Sequence, residues 1–196
     1  MTQCYGMGTR GIICRTAVRV FAEKGYDAAS MDQIAFEAGV AKGTVYYHFK
    51  SKSNLFSAII ENGLDALIED VEGATLRSTD PVEQLSAIFD ALIDYAQTFD
   101  DFMYLLFKEA LAPGREWASD VVVYWHRFVN IIEDVVARGK SMGRIDNVDT
   151  DAITQSIVSS LATAALGWAT GIGDEMWAER VLHGVKGITL RGIVVA

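Results

Sequence analysis

Residues 30–49 read SMDQIAFEAGVAKGTVYYHF, and their order dictates two short helices joined by a tight turn. Ser30 offers a side-chain oxygen to the first turn of a helix over Met31–Ala38, which Gly39 then ends. Ala35 is small where two helices must cross closely, and Gly39, four residues on, suits a turn that needs positive φ. Ile34, Ala38, Val40, Val45 and Phe49 supply the apolar faces that lock a second helix, from about Lys42 to Phe49, against the first. That spacing predicts a helix-turn-helix whose second helix exposes Lys42, Gly43, Thr44, Tyr46, Tyr47 and His48. Lys42 brings a cation for phosphate, Thr44 and the tyrosines bring hydroxyls, and Gly43 allows close backbone approach. Two adjacent tyrosines do not both face one core, so one stands exposed. Lys50 and Lys52 sit where they clamp flanking phosphates, and Ser30 completes the expected DNA-contacting set.

Charge follows the same division. Residues 1–53 hold seven Lys and Arg against four Asp and Glu, a surplus of three positive charges. The other 143 residues hold ten against twenty-two, a deficit of twelve, which brings the chain to its net −9. A small basic head on an acidic body is the expectation, with domains at 1–53 and 54–196. The 196 residues suffice for a real core, and at 51% hydrophobic, 22% charged and a mean hydropathy of +0.19 the chain is no disordered segment. Two prolines and little period-two alternation favour helices over sheets. The cysteines, Cys4 and Cys14, build neither a disulfide framework nor a metal-binding pair. No secretory pattern opens the chain, so a cytoplasmic location is expected.

Working outward, a first helix spans Thr9–Lys24 with Ile13, Ala17, Val20 and Phe21 on one stripe. A long helix follows Lys52, and another opens at Pro81 behind Asp80. Further helices are expected over Phe102–Ala112, Glu116–Lys140, about Thr150–Thr170 and about Glu175–Gly192, the last two capped by Asp149 and Asp174. The fold class is all-α, with an N-terminal three-helix helix-turn-helix head for DNA binding and a larger C-terminal helical domain, to which the resemblance described next assigns ligand binding and dimerisation.

Phe21–Tyr26, Ser30-Met31, Ile34-Ala35, Ala38-Gly39-Val40, Lys42–Phe49 and Ser51-Lys52 together resemble the N-terminal domain of TetR-family transcriptional regulators. Ala41 stands where that family most often has a capping serine, and Phe36 is apolar on a face expected to be exposed. The resemblance implies a homodimer binding double-stranded DNA at an inverted-repeat operator. It also implies a repressor released by a small hydrophobic or aromatic effector, with no cofactor. Its alternative is a helical small-molecule or protein-binding module that no longer binds DNA.

Tyr95, Phe99, Phe102, Met103, Phe107, Trp117, Tyr124, Trp125 and Phe128 concentrate aromatic and sulfur bulk where the resemblance places an effector pocket. Ser156, Ser160, Ala164, Trp168, Val181, Val185 and Ile188 fall on the last two helices, where it places the dimer interface. Ala152–Gly173 carries no charge over 22 residues, but its repeated Ser and Thr argue against a membrane span. His48, His126 and His183 are scattered, which argues against a metal site, and no nucleophile elbow or phosphate loop suggests an enzyme.

Overall fold

The computed structural model describes residues 6–110, 115, 117–146, 149–169 and 177–195, without the side chains of 100, 107, 110, 120, 161, 162, 164–166, 168, 169, 177 and 178. Among these residues the architecture is all-α: α1 (Thr9–Lys24), α2 (Met31–Glu37), α3 (Lys42–His48), α4 (Lys52–Thr75), α5 (Pro81–Thr98), α6 (Asp100–Leu105), α7 (Ala118–Ser141), α8 (Thr150–Ala169) and α9 (Trp177–Ile193). The helices agree with the expected ones to within a few residues, except over Phe102–Ala112. There α6 gives way to a π-helical turn, Leu106–Ala110. Apolar spacing does not separate α from π over one turn, and the extra residue is held from outside the helix: the Trp117 indole donates to the Glu109 carbonyl at 3.3 Å. The predicted Asp174 cap lies outside the described residues.

Two compact units make up the chain. The first comprises Met1–Ala66 with Phe99–Val123. This unit runs on into α4 and also takes in residues 99–123. The α1 stripe, Ile13, Ala17, Val20 and Phe21, is buried as predicted, together with Ile34, Val45, Phe49, Leu55 and Phe56. Gly39 turns the chain at φ +67°, a conformation open to glycine at little cost. Ser51 Oγ accepts from the Asn54 amide at 3.0 Å and so caps α4, whose onset then follows from a local signal. Cys14, buried on α1, is disulfide-bonded, a cross-link the sequence reading did not expect.

The second unit comprises Leu67–Thr98 and Tyr124–Ala196. One core runs through it, built from Ile68 and Val71 of α4, Leu85, Ile88 and Phe89 of α5, Ile132 and Val136 of α7, and Ile153 and Ile157 of α8. Buried Gln84 donates to the Thr75 and Ser78 carbonyls, each at 2.8 Å, and accepts from Arg138 at 2.9 Å. This satisfies the α4–α5 connection internally. Asp80 caps α5 through the Val82 amide at 2.8 Å and binds Arg144 at 2.6 Å. Those two hydrogen bonds, the backbone one foremost, hold its carboxyl below the usual range. Asp149 caps α8 through the Ala152 amide at 2.9 Å, as its position predicts.

Candidate nucleic-acid interface

The third helix is anchored by one side and open on the other. Buried Val45 and Phe49 hold it to the head, and the Arg10 guanidinium lies 4.5 Å over the Phe49 ring. Outward stand Tyr47, 85% exposed, with Lys42 and Gly43 exposed, Tyr46 more covered, and Thr44 and His48 partly so. Edge-to-face packing of Tyr47 and His48, centroids 5.3 Å apart, stiffens that surface. Ser30 Oγ accepts from the Gln33 amide at 3.2 Å, leaving its hydroxyl proton for another acceptor. Ala41 begins α3 without any side-chain cap.

Two lysines have partners that the sequence did not reveal. Lys42 donates to Asp32 at 2.8 Å, and that hydrogen bond raises its pKa above the ordinary lysine value. Lys52 donates to the carbonyls of Tyr26, Asp27 and Ala29 at 2.8, 3.1 and 3.0 Å, and sits 4.4 Å from the Tyr26 ring centroid. An ammonium has three N–H donors, so Lys52 is fully occupied in closing the α1–α2 turn rather than placed for a phosphate.

A second hold on the same turn comes from residues 106–117. Glu109 on the π turn, only 7% exposed, accepts the Tyr26 amide at 3.1 Å. Arg115 grips Asp27 through both terminal nitrogens at 3.0 and 2.8 Å and approaches Glu109 at 3.5 Å. The Arg115 hydrogen bond keeps the Asp27 carboxyl below its ordinary pKa. Tyr26 also packs edge-on to Phe56 and Trp117, at 5.0 and 4.7 Å. Glu109 and Arg115 escape sequence reasoning because their partners lie 83 and 88 residues away.

The nine expected effector-lining residues divide between the units. Phe102, Met103 and Trp117 belong to the first, and both Phe102 and Trp117 are core residues there. Phe102 lies on the bare α4 backbone at Gly63, where a Cβ would collide with the ring. Trp117 lies on Phe56 with centroids 4.1 Å apart. Phe99 is partly buried in the first unit, whereas the Phe107 side chain lies outside the described ones. In the second unit Tyr95 and Phe128 are buried and Tyr124 packs against the core, but Trp125 is exposed.

Residues 13–59 match the family model described as bacterial regulatory proteins, tetR family. The chain belongs to the TetR family. It is 31% identical over 133 residues to the HTH-type transcriptional activator FasR of Mycolicibacterium smegmatis, a match covering 68% of this chain and 61% of FasR. Among solved structures, the transcriptional regulator FadR from Bacillus subtilis in complex with stearoyl-CoA superposes with a TM-score of 0.81 at 21% identity, covering 93% of this chain and 98% of that one. The ketosteroid transcriptional regulator of Mycobacterium tuberculosis gives 0.82 at 23% identity over the whole of both chains. The all-α architecture expected from the motif is therefore that of solved regulators, and family and relatives alike are regulators rather than enzymes.

In this TetR-family chain, Ser156, Val181, Val185 and Ile188 lie at least partly exposed on α8 and α9, Ile188 at 69%. A groove of about 170 Å³ runs between Ser159, Ser160, Thr163, Val181 and Val185. Ser156, Ser160 and Thr163 donate to the carbonyls four residues back, at 2.7, 2.6 and 2.8 Å. Their donors thus turn into the helix, and the face they leave is small and largely apolar. Ala164 and Trp168 have side chains outside the described ones. Among the described residues no helix is long and apolar enough to cross a membrane, and no cluster of His, Cys, Asp or Glu suits a metal ion.

Proposed function

We propose that this protein is a DNA-binding transcriptional regulator, a homodimer that inserts α3 of each protomer into successive major grooves of an inverted repeat. The observation that carries this reading is the exposed surface of α3, where Tyr47, Thr44, Gly43 and Lys42 stand out from a helix fixed by Val45 and Phe49. Two copies of that helix address half-sites one helical turn apart, about 34 Å. The α8–α9 face supports pairing of protomers, since its hydroxyls are already satisfied and its desolvation is inexpensive. The division of roles at residue 53 belongs to the same reading: 1–53 address DNA, and 54–196 bind effector and partner.

The effector class we infer is a fatty acyl thioester of coenzyme A, which releases the dimer from DNA and makes the protein a repressor. Support comes from the fold shared with FadR, whose structure contains stearoyl-CoA, and from the aromatic and aliphatic bulk of the body. Such a ligand acts only by binding the released state better than the operator-bound one.

Selection of genomic fragments by the purified protein at moderate salt, followed by sequencing, tests the first part. An enriched inverted repeat upholds it; no enrichment by a folded dimer overturns it and favours a module that no longer binds DNA. Stearoyl-CoA added to the retained complex tests the second. Release at micromolar ligand supports the acyl-CoA reading, and undiminished binding refutes it.

A further inference from the structure

Asp32 occupies the first turn of α2 and Lys42 the first position of α3, and their side chains meet with Nζ donating to Oδ2 at 2.8 Å. Both remain well exposed, at 61% for Lys42 and 60% for Asp32. The pair has no net charge, so it displaces no counterion when DNA arrives and gives a phosphate little reason to bind it. A base edge is another matter, being uncharged and carrying donors and acceptors side by side in the major groove. Lys42 keeps two N–H donors beyond the one given to Asp32, and the carboxylate keeps free lone pairs.

Guanine O6 accepts and cytosine N4 donates, and the Watson–Crick hydrogen bond between those atoms spans about 2.9 Å. That matches the 2.8 Å between Nζ and Oδ2. One N4 hydrogen and one O6 lone pair still face the groove, so the two pairs fit edge to edge. An A·T pair reverses that order, with its donor N6 on the purine and its acceptor O4 on the pyrimidine. A T·A pair keeps the order but sets the thymine methyl group beside O4, where Lys42 would stand. Gly43, next to Lys42, has nothing within 4 Å of where a Cβ would stand, which leaves room for a base pair to approach.

We propose that Asp32 and Lys42 read one G·C pair in each half-site as a unit, Lys42 donating to guanine O6 and Asp32 accepting from cytosine N4. Asp32 is thereby a specificity-determining residue, although an acid on a DNA-facing surface suggests repulsion. This inference rests on the DNA-binding reading above.

The test uses the full chain with duplexes it retains from a randomised library, each half-site position then exchanged in turn. Wild-type protein is expected to lose roughly ten- to hundredfold in affinity at one G·C position when it becomes A·T, the size of one good base contact. D32A is expected to flatten that single position to less than about threefold and leave the remaining profile unchanged. The proposal is overturned if D32A keeps the same preference at every position, even with a uniform gain in affinity, for Asp32 then only repels phosphate. It is equally overturned if K42A lowers the salt slope by about one per protomer without altering base preference, which marks a phosphate contact. Failure of the wild type to retain any duplex defeats the DNA-binding reading itself.

Discussion

Lys52 and Ala41 show how differently single residues declare themselves. A lysine four residues past α3 reads as a phosphate clamp, yet its ammonium is spent on three carbonyls of the α1–α2 turn. Lys52→Met leaves those carbonyls without their cation, and the expected cost is about 2 kcal/mol in denaturant unfolding. The slope of log affinity against log salt is expected to stay the same in that variant, since no phosphate contact goes with it; a shallower slope would contradict the structural role. Ala41 was legible from sequence as a missing cap, and its backbone does start α3 with φ −64° and ψ 143°. Ala41→Ser keeps that conformation and adds an acceptor for the first turn. It is expected to raise stability by about 1 kcal/mol, read as a higher denaturant midpoint at unchanged m-value. Asp32 illustrates the remaining case: its hold on Lys42 needs the turn geometry to bring α2 and α3 together.

Among the elements, α4 and the segment around α6 depend on each other inside the first unit. Gly63 has no side chain, and the Phe102 ring fills the space a Cβ would take. Gly63→Ala is therefore expected to destabilise by about 1–3 kcal/mol through overpacking, despite the better helix propensity of alanine. Phe102→Leu in the same chain is expected to recover much of that loss, and a double-mutant cycle of unfolding free energies measures the coupling. Additive effects would show that the two do not share a site. The Arg115–Asp27 pair makes a pH prediction for the same region. Because the Arg115 hydrogen bond lowers the folded pKa of Asp27, its stabilisation is fully present above the ordinary carboxylate pKa and is lost as pH falls through the lowered folded value. Arg115→Met is expected to flatten the acid limb of the stability curve while leaving its shape near neutrality unchanged; unfolding curves between pH 2 and 7 measure it. Helix spacing in the sequence placed these elements, whereas the π turn that presents Glu109 came from partners elsewhere in the chain.

At the scale of the whole molecule, the α8–α9 face is the place to test assembly. Ile188→Glu puts a charge where 69% of an isoleucine now faces outward. The mutant is expected to sediment as a monomer and to lose operator affinity, with its helical circular dichroism retained. A persisting dimer would move the interface away from α9. The sequence alone determined the helical class, the boundaries of most helices and the character of the recognition surface. Those follow from local rules, namely apolar spacing, caps such as Ser30 and Asp149, and the steric demands of Ala35 and Gly39. Tertiary structure alone decided which cations remain available and which aromatics are core. It buried Trp117 and Phe102, exposed Trp125, occupied Lys52, and joined Asp27 to Arg115 across 88 residues. Periodicity tells which side of a helix turns inward. It does not tell what lies opposite, and charge partners and packing neighbours are set there.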